Sequence, residues 1–447
     1  MTIIDELAEF VAHANAAALP AGEQVLQRRH VSDTVVAAAA GALTGEARSL
    51  AALLGGRSLP EIVGQRAATI RLSEVDDIHL PSCTTPSAAP VATALSLAAS
   101  MQRFDPVEVA SAIWVGTEFM TRMGEAVHGP DILYRGVWPS CLAAPMATAA
   151  TAARLRGFDA RQTADALSLA LMLSTRGNGR PHGAPSGRWI MFAVAVASGL
   201  RAADAVQAGY RGDAALLEGK AFEETWGFAL DRNHLGAGAA HSVYPALSLK
   251  PFCSAKQSIA AVEALRAILA AGVAPGSIAA ITVKVPPAYA GMIGTKAQDG
   301  VRTTTLVSAA RQLALLACDP ARLYDVDRAE AVTDPKIREL ETKIAIAADP
   351  ELAQYYPAAW PAEVEVTSTD TSTRRERVIA AAGDPSRPLD DQALDEKAHR
   401  LLDRLIGPPR ADALIGFARR GLADEAGCRA LTEAFVQCFP TTERTLG

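Results

Sequence analysis

None of the six cysteines, at 83, 141, 253, 318, 428 and 438, forms a CxxC pair. That spacing excludes a zinc ribbon and a dense disulfide framework, and leaves buried or site-lining thiols in a reducing compartment. No block of basic residues occurs either. Lysine and arginine number 43 against 49 aspartates and glutamates, a formal charge of −6, so nucleic acid is not an expected partner. A local basic pocket in an acidic protein still allows an anionic substrate. No apolar run reads as a membrane span, because the alanine-rich segments are broken by charges and glycines. The start, MTIIDELAEFV, is acidic and amphipathic with no basic leader, so the expectation is a cytoplasmic protein with no membrane partner. Internal repeats and low-complexity tracts are absent as well. What is present is a chain of 447 residues, 49% apolar and 21% charged, which is globular and long enough for two domains.

The first 240 residues are alanine-rich with helical spacing. Helices are predicted over 32–45 (SDTVVAAAAGALTG, with Ser32 as N-cap and Gly45 at the end), 87–101, 106–123 behind Pro106, 142–155 up to Gly157, and 159–175. Small residues permit close helix packing, so a layered helical body is the simplest account. The texture changes near residue 275. ITVKV at 281–285 reads as a strand, as do 364–370 and 375–381, with helices over 303–317 and 334–347 between them. The fold class is therefore mainly α. A large all-helical domain spans 1–248, with 405–447 completing it or finishing the second domain. A smaller α+β domain spans 249–404.

Three stretches carry candidate chemistry. EVDDIHLPSC, 74–83, sets Asp76 and Asp77 beside His79. Asp and His relay protons, and a carboxylate can hold an imidazole in one tautomer. In an extended segment the two acids cannot share a face, so one of them at most faces a cleft with His79. The alternative is a polar turn, and metal binding is weaker because no convergent ligand is visible. TRGNGRPHGAPSGRW, 175–189, offers Arg180, His182 and Arg188 as groups for carboxylate or phosphate; it fits neither a Rossmann nor a Walker pattern, and its alternative is a solvated loop. HSVYPALSLKPFCSAKQS, 241–258, brings together His241, Tyr244, Lys250, Cys253 and Lys256. A desolvated lysine, or a cysteine beside cations, can exchange a proton on carbon; a linker before the helix SIAAVEALRAIL is the alternative. Glu118 and Arg122, four apart, read as an intrahelical ion pair.

In order along the chain, VDDIHLPSCTTPSAAPVATAL, GTEFMTRMG, GVWPSCLAAPMATAATAARLRGFDARQTADALSLA, LKPFCSAKQSIAAVEAL and AAGDPSRPLDDQALDEKAHRLL resemble successive motifs of the MmgE/PrpD family. That family includes 2-methylcitrate dehydratase, cis-aconitate decarboxylase and iminodisuccinate epimerase. The resemblance implies a large all-helical domain, a smaller α+β lid domain and a homodimer. It also implies a small polycarboxylate as substrate and neither cofactor nor metal.

Departures from the family pattern bear on the activity. Trp138 stands where a histidine is usual, and Thr84 or Thr85 where another follows the Asp pair. Arg188 falls at a family lysine and Met191 at a histidine. Lys250 matches the family lysine, Lys256 sits close to a family histidine, and Arg311 lies near a family tyrosine, with Ser308 retained. A dehydratase needs an acid to assist hydroxide departure as well as a base. An epimerase needs only proton removal and return beside a stabilised enediolate, which extra cations favour. The resemblance with these changes points to a cofactor-independent epimerase of iminodisuccinate or a related polycarboxylate. The rivals are a hydroxy-tricarboxylate dehydratase and a non-catalytic polycarboxylate-binding protein. On this reading His79, Lys250, Tyr244, His241 and Asp77 are the catalytic candidates. Asp76, Trp138, Arg180, His182, Arg188, Cys253 and Lys256 line the substrate.

Overall fold

The computed structural model describes residues 1–55, 58–174, 186–236, 242–328 and 332–439. These divide into two compact units. One comprises the described residues of 1–174, 186–247 and 402–439, and the other those of 248–401. The first is mainly helical and the second is α+β.

The helical unit opens with α1 (Ile3–His13), started by a capping box in which Thr2 and Asp5 satisfy each other's backbone N–H. Then come α2 (Ala21–Gly41), α3 (Gly45–Leu54) and α4 (Leu59–Leu72). The predicted helix over 32–45 is corrected here. It begins eleven residues earlier, after Pro20, so Ser32 lies mid-helix and caps nothing; Thr44 caps the next helix instead, accepting from Ala47 N. The front half of α2 carries polar residues on its inner face, and that hid the helix from a search for apolar spacing.

A short strand, β1 (Ile78–His79), precedes α5 (Ala88–Met101) and α6 (Pro106–Ala126), the latter capped by Asp105. After α7 (Gly129–Tyr134) come α8 (Pro139–Arg156), α9 (Ala160–Met172), α10 (Gly187–Gln207) and α11 (Ala221–Trp226). The alanine-rich α8 is the hub, packing on α5, α6, α9 and α10. Its small residues make this packing close. A Cβ on Gly116 of α6 would stand 2.1 Å from Thr151 Oγ1, and one on Gly199 of α10 would stand 2.2 Å from the Pro145 carbonyl. Helix α10 is long and apolar enough to cross a membrane by length and composition, a feature missed in the sequence. It packs on α4, α8 and α9, and 56% of its most apolar window is buried in the unit.

The chain enters the second unit at β2 (Leu247–Ser248) and continues through α12 (Ile259–Ala270), β3 (Ile278–Val285), α13 (Pro287–Ile293), α14 (Arg302–Val307) and α15 (Ala309–Cys318). Then follow α16 (Pro335–Thr342), β4 (Ile344–Ala348), β5 (Ala362–Ser368), β6 (Thr373–Val378) and α17 (Asp391–Ile406). The sheet order is β4-β3-β5-β6. Val283 of the central strand faces Ile346 in a parallel pair and Val364 in an antiparallel one. Ala362, Val364 and Val366 are buried at alternate positions, and α12 packs on β5. Two predicted helices change. The helix over 334–347 ends at Thr342, because the β-branched run IAIAA is claimed as β4 by the edge of β3. The helix over 303–317 breaks at Ser308, whose extended backbone and side chain cap α15. Helices α18 (Pro408–Arg420) and α19 (Glu425–Gln437) belong to the helical unit, where they pack on α2 and α5.

Gly383 and Gly157 give a paired test. Both lie in the left-handed region, with φ +88° and +70°. A Cβ on Gly383 would fall 1.8 Å from the Leu249 carbonyl, whereas one on Gly157 would meet nothing within 4 Å. Gly157→Ala is expected to cost about 1 kcal/mol from backbone strain alone. Gly383→Ala is expected to cost clearly more, beyond about 3 kcal/mol, in denaturant titrations of the two variants.

Candidate functional site

The chemistry-bearing wall of the helical unit is the segment between α4 and α5. Glu74 and Cys83, at its two ends, have φ of +51° and +52°, a conformation that non-glycine residues rarely hold. Between them Asp76 and Asp77 engage different partners. Asp76 is fully buried and accepts from Arg71 Nη1 of α4 at 2.7 and 2.6 Å. Asp77, equally buried, turns toward α2, where its Oδ2 stands 2.8 Å from His30 Nδ1. It also accepts from the Ser87 N–H at 3.1 Å and from Ser87 Oγ at 2.5 Å, at the start of α5. Three elements, α4, α2 and the start of α5, therefore meet on two adjacent carboxylates.

His79 does not join them by hydrogen bond. Its Nδ1 lies 3.0 Å from Ser82 Oγ, and its backbone N–H donates to the Thr84 carbonyl at 2.9 Å. Burial pushes its pKa down to about 4, with only partial opposition from the charge of Asp77. His79 is thus a neutral imidazole across the physiological range. Thr85 pairs with Ser140 at the head of α8: its N–H donates to Ser140 Oγ at 3.1 Å.

Arg188, in the first turn of α10, lies between two indoles. Its guanidinium is 5.2 Å from the Trp138 ring and 4.1 Å from that of Trp189. It also donates to Glu74 Oε1 at 2.7 Å, and the Arg71 guanidinium stands 5.8 Å from the Trp189 ring. Cys141 lies close enough to feel both arginines, yet burial pushes its thiol up to about 12, so it stays protonated. Tyr244 accepts from Gln27 Nε2 at 3.2 Å, and burial raises its phenol well above the ordinary range. Glu118 keeps its ion pair with Arg122 at 3.1 Å and accepts as well from Trp114 Nε1 and the Val243 N–H.

The α+β unit carries the lysine cluster. Lys250, Cys253 and Lys256 are all buried. Lys256 Nζ is 2.5 Å from Asp384 Oδ1; desolvation lowers its pKa, Asp384 opposes that shift, and the charge of Lys250 adds to it. Asp384 Oδ2 in turn accepts from the Ala381 N–H, and the Leu249 N–H donates to the Gly383 carbonyl. The Gly-Asp-Pro turn therefore both neutralises Lys256 and holds the strand leading to Lys250. Cys253 is pushed up to about 11 by burial, and the nearby Arg328 and Arg302 offset only part of that. It is not a thiolate. Arg311 is committed to Glu341 at 2.9 Å and Asp299 at 3.0 Å.

Arg180, His182 and His241 lie outside the described residues. The residues that the sequence reading missed are His30, Arg71, Glu74 and Ser87. A signal for His30 existed. Glu23, Gln27, His30 and Thr34 recur at helical spacing, and all four are buried on α2. Among the described residues no group of three or more His, Cys, Asp or Glu is placed to hold a metal ion.

Two family models match the chain. The MmgE/PrpD N-terminal domain covers residues 65–230 and the C-terminal domain residues 252–419, together well over half of the sequence. The chain belongs to the MmgE/PrpD family. The matched regions include the Asp76–Asp77 wall in the N-terminal domain and the Lys256–Asp384 pair in the C-terminal one. No curated protein matches the chain.

The titration of His79 is directly testable. An imidazole whose folded pKa sits near 4, below the unfolded 6.5, binds its proton in the unfolded chain first. Its contribution is complete above about pH 6.5 and is lost as pH falls toward 4. Over that window the wild-type protein is expected to lose on the order of 3 kcal/mol more stability than His79→Asn, read as the gap between urea-unfolding curves. Parallel curves would place the proton of His79 elsewhere.

Proposed function

We propose that the protein is a cofactor-independent enzyme that breaks a carbon–hydrogen bond next to a carboxylate in a small polycarboxylate, with loss of water from a hydroxy-tricarboxylate as the outcome. Membership of the MmgE/PrpD family carries this reading, since dehydration of the 2-methylcitrate type is the activity more typical of that family. The chemistry has two demands. A base must take a weakly acidic proton while its electron pair moves onto the adjacent carboxylate as an enediolate. That pair then returns to form the carbon–carbon double bond as the carbon–oxygen bond to the β-hydroxyl breaks, and the hydroxide leaves as water after gaining a proton. A buried cation beside that carboxylate, such as Lys250, favours the enediolate, which carries one more negative charge than the carboxylate it forms from.

A second reading, epimerisation of iminodisuccinate or a related polycarboxylate, is favoured by one observation. At two positions where the resemblance puts a family histidine the chain has Thr84 or Thr85, bonded to Ser82 and Ser140 respectively, and Trp138, beside Arg188. Neither is an acid that can protonate a departing hydroxide. Removal and return of a proton need no such acid.

Proton NMR in deuterium oxide, with 2-methylcitrate and iminodisuccinate as probes, separates the readings. Dehydration is expected to give an alkene with rising ultraviolet absorbance from 2-methylcitrate. Deuterium incorporation and stereoisomer interconversion on iminodisuccinate, without an alkene, would replace dehydration by epimerisation. Saturable calorimetric binding with neither change would leave a polycarboxylate-binding protein. Lys250→Ala is expected to lower turnover by at least about a hundredfold, as loss of a proton carrier or of an enediolate partner does; near-normal turnover would make Lys250 structural.

A further inference from the structure

We propose that His30, oriented by Asp77, is the imidazole that exchanges a proton with the substrate carbon. This assignment rests on the carbon-acid reading above and names the residue that performs its central step.

Among the described residues three titratable rings are buried around the Asp77 wall: His79, Tyr244 and His30. Tyr244 is held as a phenol by burial and hydrogen-bonded to Gln27, so it neither gives nor takes a proton readily. His79 faces a hydroxyl, and burial disfavours its charged form. His30 alone has a carboxylate on its ring, 2.8 Å from Nδ1. Asp77 is itself fixed by the Ser87 N–H and hydroxyl, so its Oδ2 is held in place as an acceptor. An acceptor there sets the neutral tautomer of His30, with hydrogen on Nδ1 and a lone pair on Nε2. No hydrogen bond to Nε2 occurs among the described residues, and the ring lies 5.8 Å from that of Tyr244 in a tilted arrangement. The step balances without further partners. The substrate C–H bond breaks, its proton goes to Nε2, and its electron pair goes to the adjacent carboxylate. The imidazolium so formed is paired with Asp77, which keeps Nδ1–H and takes up no proton itself.

Position supports the same role. His30 sits mid-way along the 21-residue helix α2, anchored through Asp77 to the start of α5, so the ring is carried by rigid elements rather than a loop.

The test uses His30→Gln and His30→Asn, with deuterium exchange on 2-methylcitrate and iminodisuccinate as the readout. Both variants are expected to lose at least about a hundredfold in exchange rate and kcat, with KM within a few-fold of wild type and cooperative thermal unfolding retained. Exchange within tenfold of wild type in either variant overturns the assignment. So does a loss that tracks KM alone, which is what a purely structural role gives. Nitrogen NMR of 15N-histidine-labelled wild-type protein supplies a reading free of any folding defect: the neutral ring of His30 must carry its proton on Nδ1, and the opposite tautomer overturns the proposal. If wild type exchanges no proton on either probe, the carbon-acid reading falls and this assignment with it. If wild type exchanges and the variants match it, only the assignment falls.

Discussion

The helical unit depends on one local constraint, the burial of Asp76 and Asp77 side by side. The two adjacent carboxylates face different partners, and each is carried below the surface. A buried carboxylate without a partner is strongly disfavoured, so each orders what it meets. Asp76 fixes Arg71 at the end of α4. Asp77 fixes His30 of α2 and the first residue of the turn into α5. Glu74 and Cys83 hold left-handed conformations on either side of the two carboxylates. Their strain, on the order of 1 kcal/mol or more each, is offset by the charge-assisted hydrogen bonds between them.

The cations follow the same logic. Arg188 is bonded to Glu74 and flanked by two indoles, Lys256 is paired with Asp384, and Arg311 lies between Asp299 and Glu341. In sequence they form a surplus of positive charge suited to a substrate with many carboxylates. In the structure each has an acidic partner of its own. A buried ion pair contributes little net stability but becomes costly when one member is removed, so such pairs act chiefly as fixed geometry. Cations engaged in this way are not a reserve for further substrate carboxylates. A tricarboxylate makes a smaller demand for unengaged cations.

Much of the fold was legible because its signals are local. Helices α6, α8 and α9 announce themselves through Pro106, Gly157 and Asp159, and the strands β3 and β5 through β-branched runs. The misses have physical causes. Helix α2 begins with a buried polar face, which violates the rule that inner faces are apolar. IAIAA has no helix-breaking residue before it, and only the edge of β3 made it a strand. For the site, the family motifs flagged Asp76, Asp77 and Lys250. They could not flag His30, which lies 47 positions from its partner and outside every quoted motif. Pairing across that distance is a tertiary fact, visible in sequence only as a polar stripe on a helix.

Burial also separates the proton carriers from the rest. Low dielectric raises Tyr244, Cys141 and Cys253 out of the range in which they ionise, and it lowers His79. A general base has to be bare in the resting enzyme and tolerable as a cation a moment later. Desolvation supplies the first property and destroys the second, unless an anion stands beside the ring. Asp77 is such an anion, and its two bonds from Ser87 keep it pointed at the ring throughout the transfer. The neighbouring Asp76 cannot substitute, because Arg71 already occupies both of its oxygens. The division of labour between two adjacent aspartates thus follows from their different partners: one anchors a cation, and the other is left to serve an imidazole.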